Sequence, residues 1–225
     1  MRKKYAFVAA IAVLSLSSVA VAHEAGEVFL RVGVIHAAPD VSSSRIKVDG
    51  VKQSGTSADV GSDTQIGLTA TYMVMPRFGI ELLAATPFTH DVKVKGLGPI
   101  VDGKLGEVSH LPPTVSAQFF FLNPKSRFQP YVGLGLTYTM FYNEKLTRAQ
   151  KNNGFSDFKM EDSLGVSGQV GMDVSVGERL FVNAAVWRVG MSTTAKAKAK
   201  YYGQGVKVDV DVDPWVYFLG VGYKF

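Results

Sequence analysis

The stretch from Lys207 to Phe225, KVDVDVDPWVYFLGVGYKF, restricts the fold more than any other part of the chain. From Trp215 every second residue is large and apolar: Trp215, Tyr217, Leu219, Val221, Tyr223 and Phe225. The alternate set, Val216, Phe218, Gly220, Gly222 and Lys224, becomes smaller and more polar toward the end. Sustained period-two alternation marks a β-strand, whose successive side chains point to opposite faces. A water-soluble sheet seldom exposes a Trp/Tyr/Tyr/Phe face up to its last residue. A strand whose outer face meets lipid does so naturally, with aromatic side chains at the two water interfaces. The expectation is an all-β transmembrane barrel.

The other end of the chain agrees. Arg2, Lys3 and Lys4 precede an apolar run from Tyr5 to Leu16, and Val19-Ala20-Val21-Ala22 supplies small residues for cleavage. This order is that of a secretory signal peptide over residues 1–22, with the barrel occupying 23–225. A retained signal anchor is the alternative. No later run of eighteen apolar residues predicts a transmembrane helix. The chain has no cysteine, which excludes disulfides and thiolate chemistry. Its net charge of +5 comes from scattered basic residues, not from a Lys/Arg face interleaved with aromatics. Nucleic acid is therefore not an expected partner, whereas anionic headgroups such as those of lipopolysaccharide are.

Eight alternating segments can be placed in order. They run from about Glu27 to Ala37, Thr64 to Met75, Phe78 to about Val94, and Thr114 to Leu122. Four more run from Pro130 to Tyr142, Ser163 to Val176, Leu180 to Thr194, and through the closing stretch. The connections alternate long and short. Pro39–Asp63, Lys95–Pro113, Asn143–Asp162 and a final one around Tyr201–Gly205 are long and polar, the third with room for a short helix. Pro76-Arg77, Asn123–Gln129 and Gly177-Glu178-Arg179 are short. This pattern fits an eight-stranded antiparallel up-and-down barrel with long extracellular loops, short periplasmic turns and both termini periplasmic. A soluble lipocalin-like barrel would invert the faces, placing the apolar set inside.

Several stretches resemble one family. AHEAGE (22–27), SDTQIGLTATYM (62–73), GIELLAATPFTHDV (79–92) and LPPT (111–114) are similar to the OmpW family of small outer-membrane barrels. So are QPYVGLGLTYTMFY (129–142), DSLGVSGQVGMDV (162–174) and DVDPWVYFLGVGYKF (211–225), the last two resembling its OprG-like branch. The resemblance implies an eight-stranded barrel that passes small, mainly hydrophobic molecules across the outer membrane and releases them sideways into the bilayer. By motif match it places a hydrophobic gate on Leu83 of ELLAATPF and Trp187 of AAVWR. Tyr223 and Phe225 resemble the C-terminal signature by which such barrels are taken up by the assembly machinery, with periplasmic chaperones as earlier partners.

The inward phase of each strand can also be ordered by height. Arg31, Glu81, Gln118, Asp173, Asn183 and Lys224 fall toward the periplasmic end, where a charge-paired plug is expected. Above them the same phase turns apolar: Leu83, Ala85 and Pro87, then Trp187 and Val189, then Val216 and Phe218. The phase of the seventh strand stays open. One choice puts Trp187 in the lumen and leaves Arg188 snorkelling at the outer rim; the other reverses them. Pro87 has no N–H for a ladder and is out of place in a strand interior. With Ala85 and Thr86 it marks an expected lateral opening; the plainer alternative is a strand that ends or bulges at Thr86.

Other signals are weaker. Lys196, Lys198 and Lys200 are expected to face Asp209, Asp211 and Asp213 across the last hairpin, as opposite charges do on paired strands. His36, His90 and His110 have no ligand spacing and are expected to be solvated loop residues. No nucleophile–base pair or cofactor motif is marked, so neither an enzyme nor a cofactor is expected. The expected function is passive uptake of hydrophobic molecules. The rivals are a narrow porin for small polar solutes and a surface-interaction barrel.

Overall fold

The computed structural model describes residues 23–200 and 205–225. The signal peptide expected at 1–22, and most of the last connection, lie outside the described residues. The first strand is β1 (Val28–Ala38), and the first long connection holds β2 (Ser42–Ser43), β3 (Lys47–Val48), β4 (Val51–Lys52) and β5 (Ser57–Val60). Then come β6 (Asp63–Met75), β7 (Phe78–Ala85), β8 (Phe88–Lys95), β9 (Gly103–Leu111), β10 (Thr114–Phe120) and β11 (Phe128–Leu146). A single turn of helix, α1 (Arg148–Asn152), is capped by the Thr147 hydroxyl accepting from Gln150 N. After it come β12 (Phe155–Met160), β13 (Ser163–Ser175), β14 (Leu180–Val189), β15 (Ser192–Ala199), β16 (Val206–Asp211) and β17 (Trp215–Lys224).

Eight of these strands close on themselves. The ladder runs β10-β7-β6-β1-β17-β14-β13-β11, and β11 pairs back to β10, every pairing antiparallel. Closure leaves no open edge, the condition for a sheet to survive in hydrocarbon. The outer face is apolar around the ring. Leu134 is 67% exposed, Leu164 69% and Leu219 63%, each on a different strand. Exposure on that scale would be an aggregation hazard in water and is what a lipid-facing wall requires. At the periplasmic end the Pro76-Arg77 turn puts Arg77 at φ 70, a left-handed conformation. Arg77 is held there by donating to the carbonyls of Phe120 and Phe121 and by lying over the Phe119 ring.

The long connections differ from the polar loops expected. Most of them hold strands: β5 and β9, together with β8 from the upper part of the expected third strand, continue one side of the wall beyond β11, and β12, β15, β16, β3 and β4 form a second sheet on the other. Their inward residues are apolar, among them Ile46, Val94, Phe155, Phe158, Ala195, Ala197 and Val208, all buried. A packed core above the membrane, not the turn chemistry of the connections, decides their conformation.

The expected Lys–Asp register is corrected in the same region. Lys196 lies opposite Lys207, while Asp209 faces Thr194 and Asp211 faces Ser192. The lysines pair on the other flank, Lys196 with Glu161 and Lys198 with Asp157, and Asp209 pairs with Lys47. Alternation sets the face a side chain takes; the connection between two strands sets its partner.

Candidate functional site

The lumen is built in layers because the inward phase changes character with height. At the periplasmic end Phe29, Met73, Phe120, Tyr131 and Phe181 form a buried apolar seal. His23 enters beneath it, its ring 4.6 Å from Phe29 and 4.5 Å from Phe120. Glycines on the inner wall let large rings lie flat. A Cβ at Gly171 would stand 2.3 Å from the Tyr131 ring, and one at Gly222 2.1 Å from Phe181.

Just above, one guanidinium organises the barrel. Arg31 from β1 donates through Nε to Asp173 Oδ1 at 3.1 Å and through Nη2 to Oδ2 at 2.7 Å. Its Nη1 donates to Thr71 Oγ1 at 2.7 Å, to Glu81 Oε2 at 3.2 Å and to Thr69 Oγ1 at 3.3 Å. Asn183 donates to both Asp173 (2.7 Å) and the Tyr131 hydroxyl (2.9 Å), and His23 Nε2 lies 3.3 Å from Asp173. Gln169 donates to Glu81 at 3.0 Å, and Gln118 donates to Gln169 at 3.2 Å. Every member is buried. Buried charge is tolerated here because each charged group has several partners. The network spans the lumen from β1, β6 and β7 through β10 to β13 and β14, so it occupies the section where a water path would run.

Lys224 is not part of it. It pairs with Glu27 at the periplasmic mouth, because β17 carries it past the level of Arg31. Thr69, Thr71, Tyr131 and Gln169 do belong to the plug and share the inward parity of the residues expected there. Tyr223 and Phe225 sit on the outer face, their rings edge to face at 4.9 Å.

Above the plug the lumen is apolar. Trp187 is 1% exposed and meets Phe218 edge to face at 6.3 Å. Arg188 points outward instead, donating to Asp40 at 3.1 Å with its guanidinium over the Trp215 ring. A narrow apolar pocket opens here, lined by Leu83, Ala85, Trp187, Val189 and Val216 together with Ile35, Phe88, His110 and Pro112. A second lies above and shares Ala37, His110, Met191 and Pro214 with the first. His90 and His110 were expected in solvent, yet both are buried in the wall of the upper lumen. Their Nε2 atoms are 2.9 Å apart and their rings stack on each other and on Phe88. They come from β8, the upper part of the expected third strand, and from β9, which was expected to be loop. His36 faces outward beside Tyr217.

The expected third strand is broken at Thr86-Pro87 into β7 and β8. The β7–β10 ladder stops at Leu83 opposite Thr114, and the β8–β9 ladder begins at Phe88 opposite His110. Between them Ala84–Pro87 face Leu111–Pro113 with no ladder pair, and Pro87, Pro112 and Pro113 bring no N–H. Toward β6 the wall stays shut, with Thr86 N donating to Ile66 O at 2.9 Å. Other breaks in the wall are bridged. Val189 N donates to Pro214 O, Val212 N to Met191 O, and Asp162 accepts from Phe141 N and the Tyr138 hydroxyl. The Pro113 carbonyl is met by Tyr138 N at 3.0 Å. Pro87 thus marks an interruption between two strand pairs, not an orphaned carbonyl inside a continuous strand. The Pro112-Pro113 half was not anticipated.

Among the described residues there is no group of three or more potential metal ligands. A model of the OmpW family matches residues 24–225. Outer membrane protein W of Vibrio cholerae is 40% identical over 227 residues, covering 100% of both chains. Outer membrane protein W of Escherichia coli is 41% identical over 219 residues, 97% of this chain and 98% of that one. The crystal structure of the outer membrane protein OprG from Pseudomonas aeruginosa superposes with a TM-score of 0.88 at 48% identity, covering 92% of this chain and 99% of that one.

Proposed function

The chain belongs to the OmpW family of bacterial outer-membrane barrels, and from that premise we propose that it passively takes up small hydrophobic molecules. A solute descends between the extracellular strands into the apolar cavity, passes Leu83 and Trp187, and leaves through the wall beside Ala85, Thr86 and Pro87. Val189, Val216 and Phe218 complete the apolar surface along that path. Below it, Arg31, Glu81, Gln118, Asp173 and Asn183 hold the floor shut. The barrel stands in lipid, with lipopolysaccharide as its outer-leaflet neighbour, and the Tyr223/Phe225 end serves its assembly by the barrel-assembly machinery and chaperones.

One observation supports this reading above others: an apolar cavity closed below by a charged plug lies beside the unpaired seam between Ala84–Pro87 and Leu111–Pro113. Hydrocarbon penalises unpaired backbone by several kcal/mol per group, and a seam is tolerated here because Pro87, Pro112 and Pro113 have no N–H to leave unpaired. A polar porin would need water through the level of Arg31, where the side chains already bond to one another. The test is uptake of a hydrophobic solute by cells or liposomes carrying Pro87→Ala. A restored N–H closes the seam and uptake falls; unchanged uptake removes the lateral exit.

A further inference from the structure

Two residues that line the apolar cavity each keep a buried polar atom with no hydrogen-bond partner among the described residues: Trp187 Nε1 and His110 Nδ1. The first is an N–H donor in any state. The second is fixed as an acceptor by its neighbours. Gly61 O lies 2.5 Å from His90 Nδ1, and a carbonyl can only accept, so that nitrogen carries a proton. In a neutral ring His90 Nε2 is then bare, and His110 Nε2, 2.9 Å away, must donate to it. Neutral His110 is left with a bare Nδ1. Burial pushes both histidines below their ordinary range, His110 to about 3, so the neutral forms hold at neutral pH.

The other polar groups of this lining do not compete. The Thr114 and Thr137 hydroxyls bond each other at 2.7 Å. Among the described residues no charged side chain lines the cavity, and an ion brought into it would lose its hydration without a counter-charge. The lining residues therefore leave one donor and one acceptor unpaired among apolar side chains. That pair matches a neutral group that can both give and take a hydrogen bond.

We infer that the cavity binds uncharged amphipathic chain molecules, alcohols or undissociated carboxylic acids, whose O–H donates to His110 Nδ1 and whose oxygen accepts from Trp187 Nε1–H. This rests on the proposed uptake path, since the cavity lies on it, and it narrows the solute from apolar molecules in general to those carrying one neutral hydroxyl-type group.

The test uses the full barrel in lipid nanodiscs, with binding measured as excess over protein-free discs. Three probes of one chain length separate the contacts: 1-octanol (donor and acceptor), methyl octyl ether (acceptor only) and 1-chlorooctane as the apolar reference. His110→Phe keeps the ring stack and removes the acceptor. It should weaken octanol about tenfold, the scale of one lost hydrogen bond, and spare the ether and chlorooctane. Trp187→Phe should weaken octanol and the ether by a similar factor relative to chlorooctane. Octanol binding that is unchanged in His110→Phe while chlorooctane still binds overturns the inference and leaves the uptake path standing. Failure of all three probes to bind the unsubstituted barrel overturns both. Should His110→Phe lose every probe, the ¹⁵N resonance of His110 Nδ1 in the unsubstituted protein decides. It should lie at the unprotonated position and shift on adding octanol but not chlorooctane. A resonance already hydrogen-bonded without probe, and unmoved by octanol, assigns the atom to a buried water and overturns the inference.

Discussion

Arg31 and Asp173 face each other across the lumen and are joined by two parallel hydrogen bonds of 3.1 and 2.7 Å. The fork-to-carboxylate geometry ties β1 to β13, strands that are not neighbours in the ladder, and so braces the barrel through its interior. Arg31→Met would leave Asp173 and Glu81 buried without their cation, a loss of about 3–5 kcal/mol. Urea unfolding in lipid should show it. Arg31→Met combined with Asp173→Leu should cost clearly less than the two single changes summed, because the stranded charge is removed.

Acid should loosen the extracellular extension before the wall. His90 and His110 are held neutral by burial, His110 down to about 3, whereas unfolded histidine titrates near 6.5. The unfolded segment therefore binds more protons, and the stability present above pH 6.5 is lost as pH falls from there toward the folded value, at up to about 1.4 kcal/mol per pH unit for each histidine. Asp63 and Asp91 near His90 oppose its shift in part. Hydrogen exchange, corrected for its intrinsic rate, should speed up in β8 and β9 between pH 7 and pH 5, and less so in His110→Phe.

Leu134 stands on the outer face in mid-strand, and Arg188 stands on it at the outer rim beside Trp215. Leu134→Arg should destabilise by about 2–4 kcal/mol, the cost of a lipid-facing Arg at the bilayer midplane. Leu164→Arg, one residue from the extracellular start of β13, should cost less. Equal losses in a refolding titration would mean that the lipid belt is not where the exposed residues place it.

Gly171 and Gly222 lie against the rings of Tyr131 and Phe181. Gly171→Val forces a side chain into a filled layer and should cost at least about 1–3 kcal/mol. The same change at Gly168, with nothing within 4 Å of its Cβ, should be far milder. Midpoints of thermal unfolding in one detergent would compare the two.

The wall was legible in the chain because lipid enforces a strict alternation: parity alone puts Trp187 and Arg188 on opposite faces, and the structure settles that Trp187 is the inner one. Parity also gathers Arg31, Glu81, Gln118, Asp173 and Asn183 into one lumen. It carries no register, which is why Lys196 could be set against Asp209 when its neighbour is Lys207, and why Lys224 could be placed one layer too deep. The extracellular strands were hidden for another reason. Their inward residues include small alanines between lysines, whose burial depends on Phe155, Phe158 and Val208 arriving from distant segments. Pro87 stood out as a lone anomaly; its counterpart, Pro112-Pro113, sat where a loop was expected. His90 and His110 are far apart in sequence and meet only because β8 and β9 pair.

Where a solute leaves the lumen can be read directly with a photoreactive hydrophobic probe crosslinked to the barrel in bilayers and located by peptide mapping. Exit through the wall predicts label at Leu83–Phe88 and Leu111–Thr114, with the Arg31, Glu81 and Asp173 level unlabelled. Label at that lower level, with none along the seam, would contradict it.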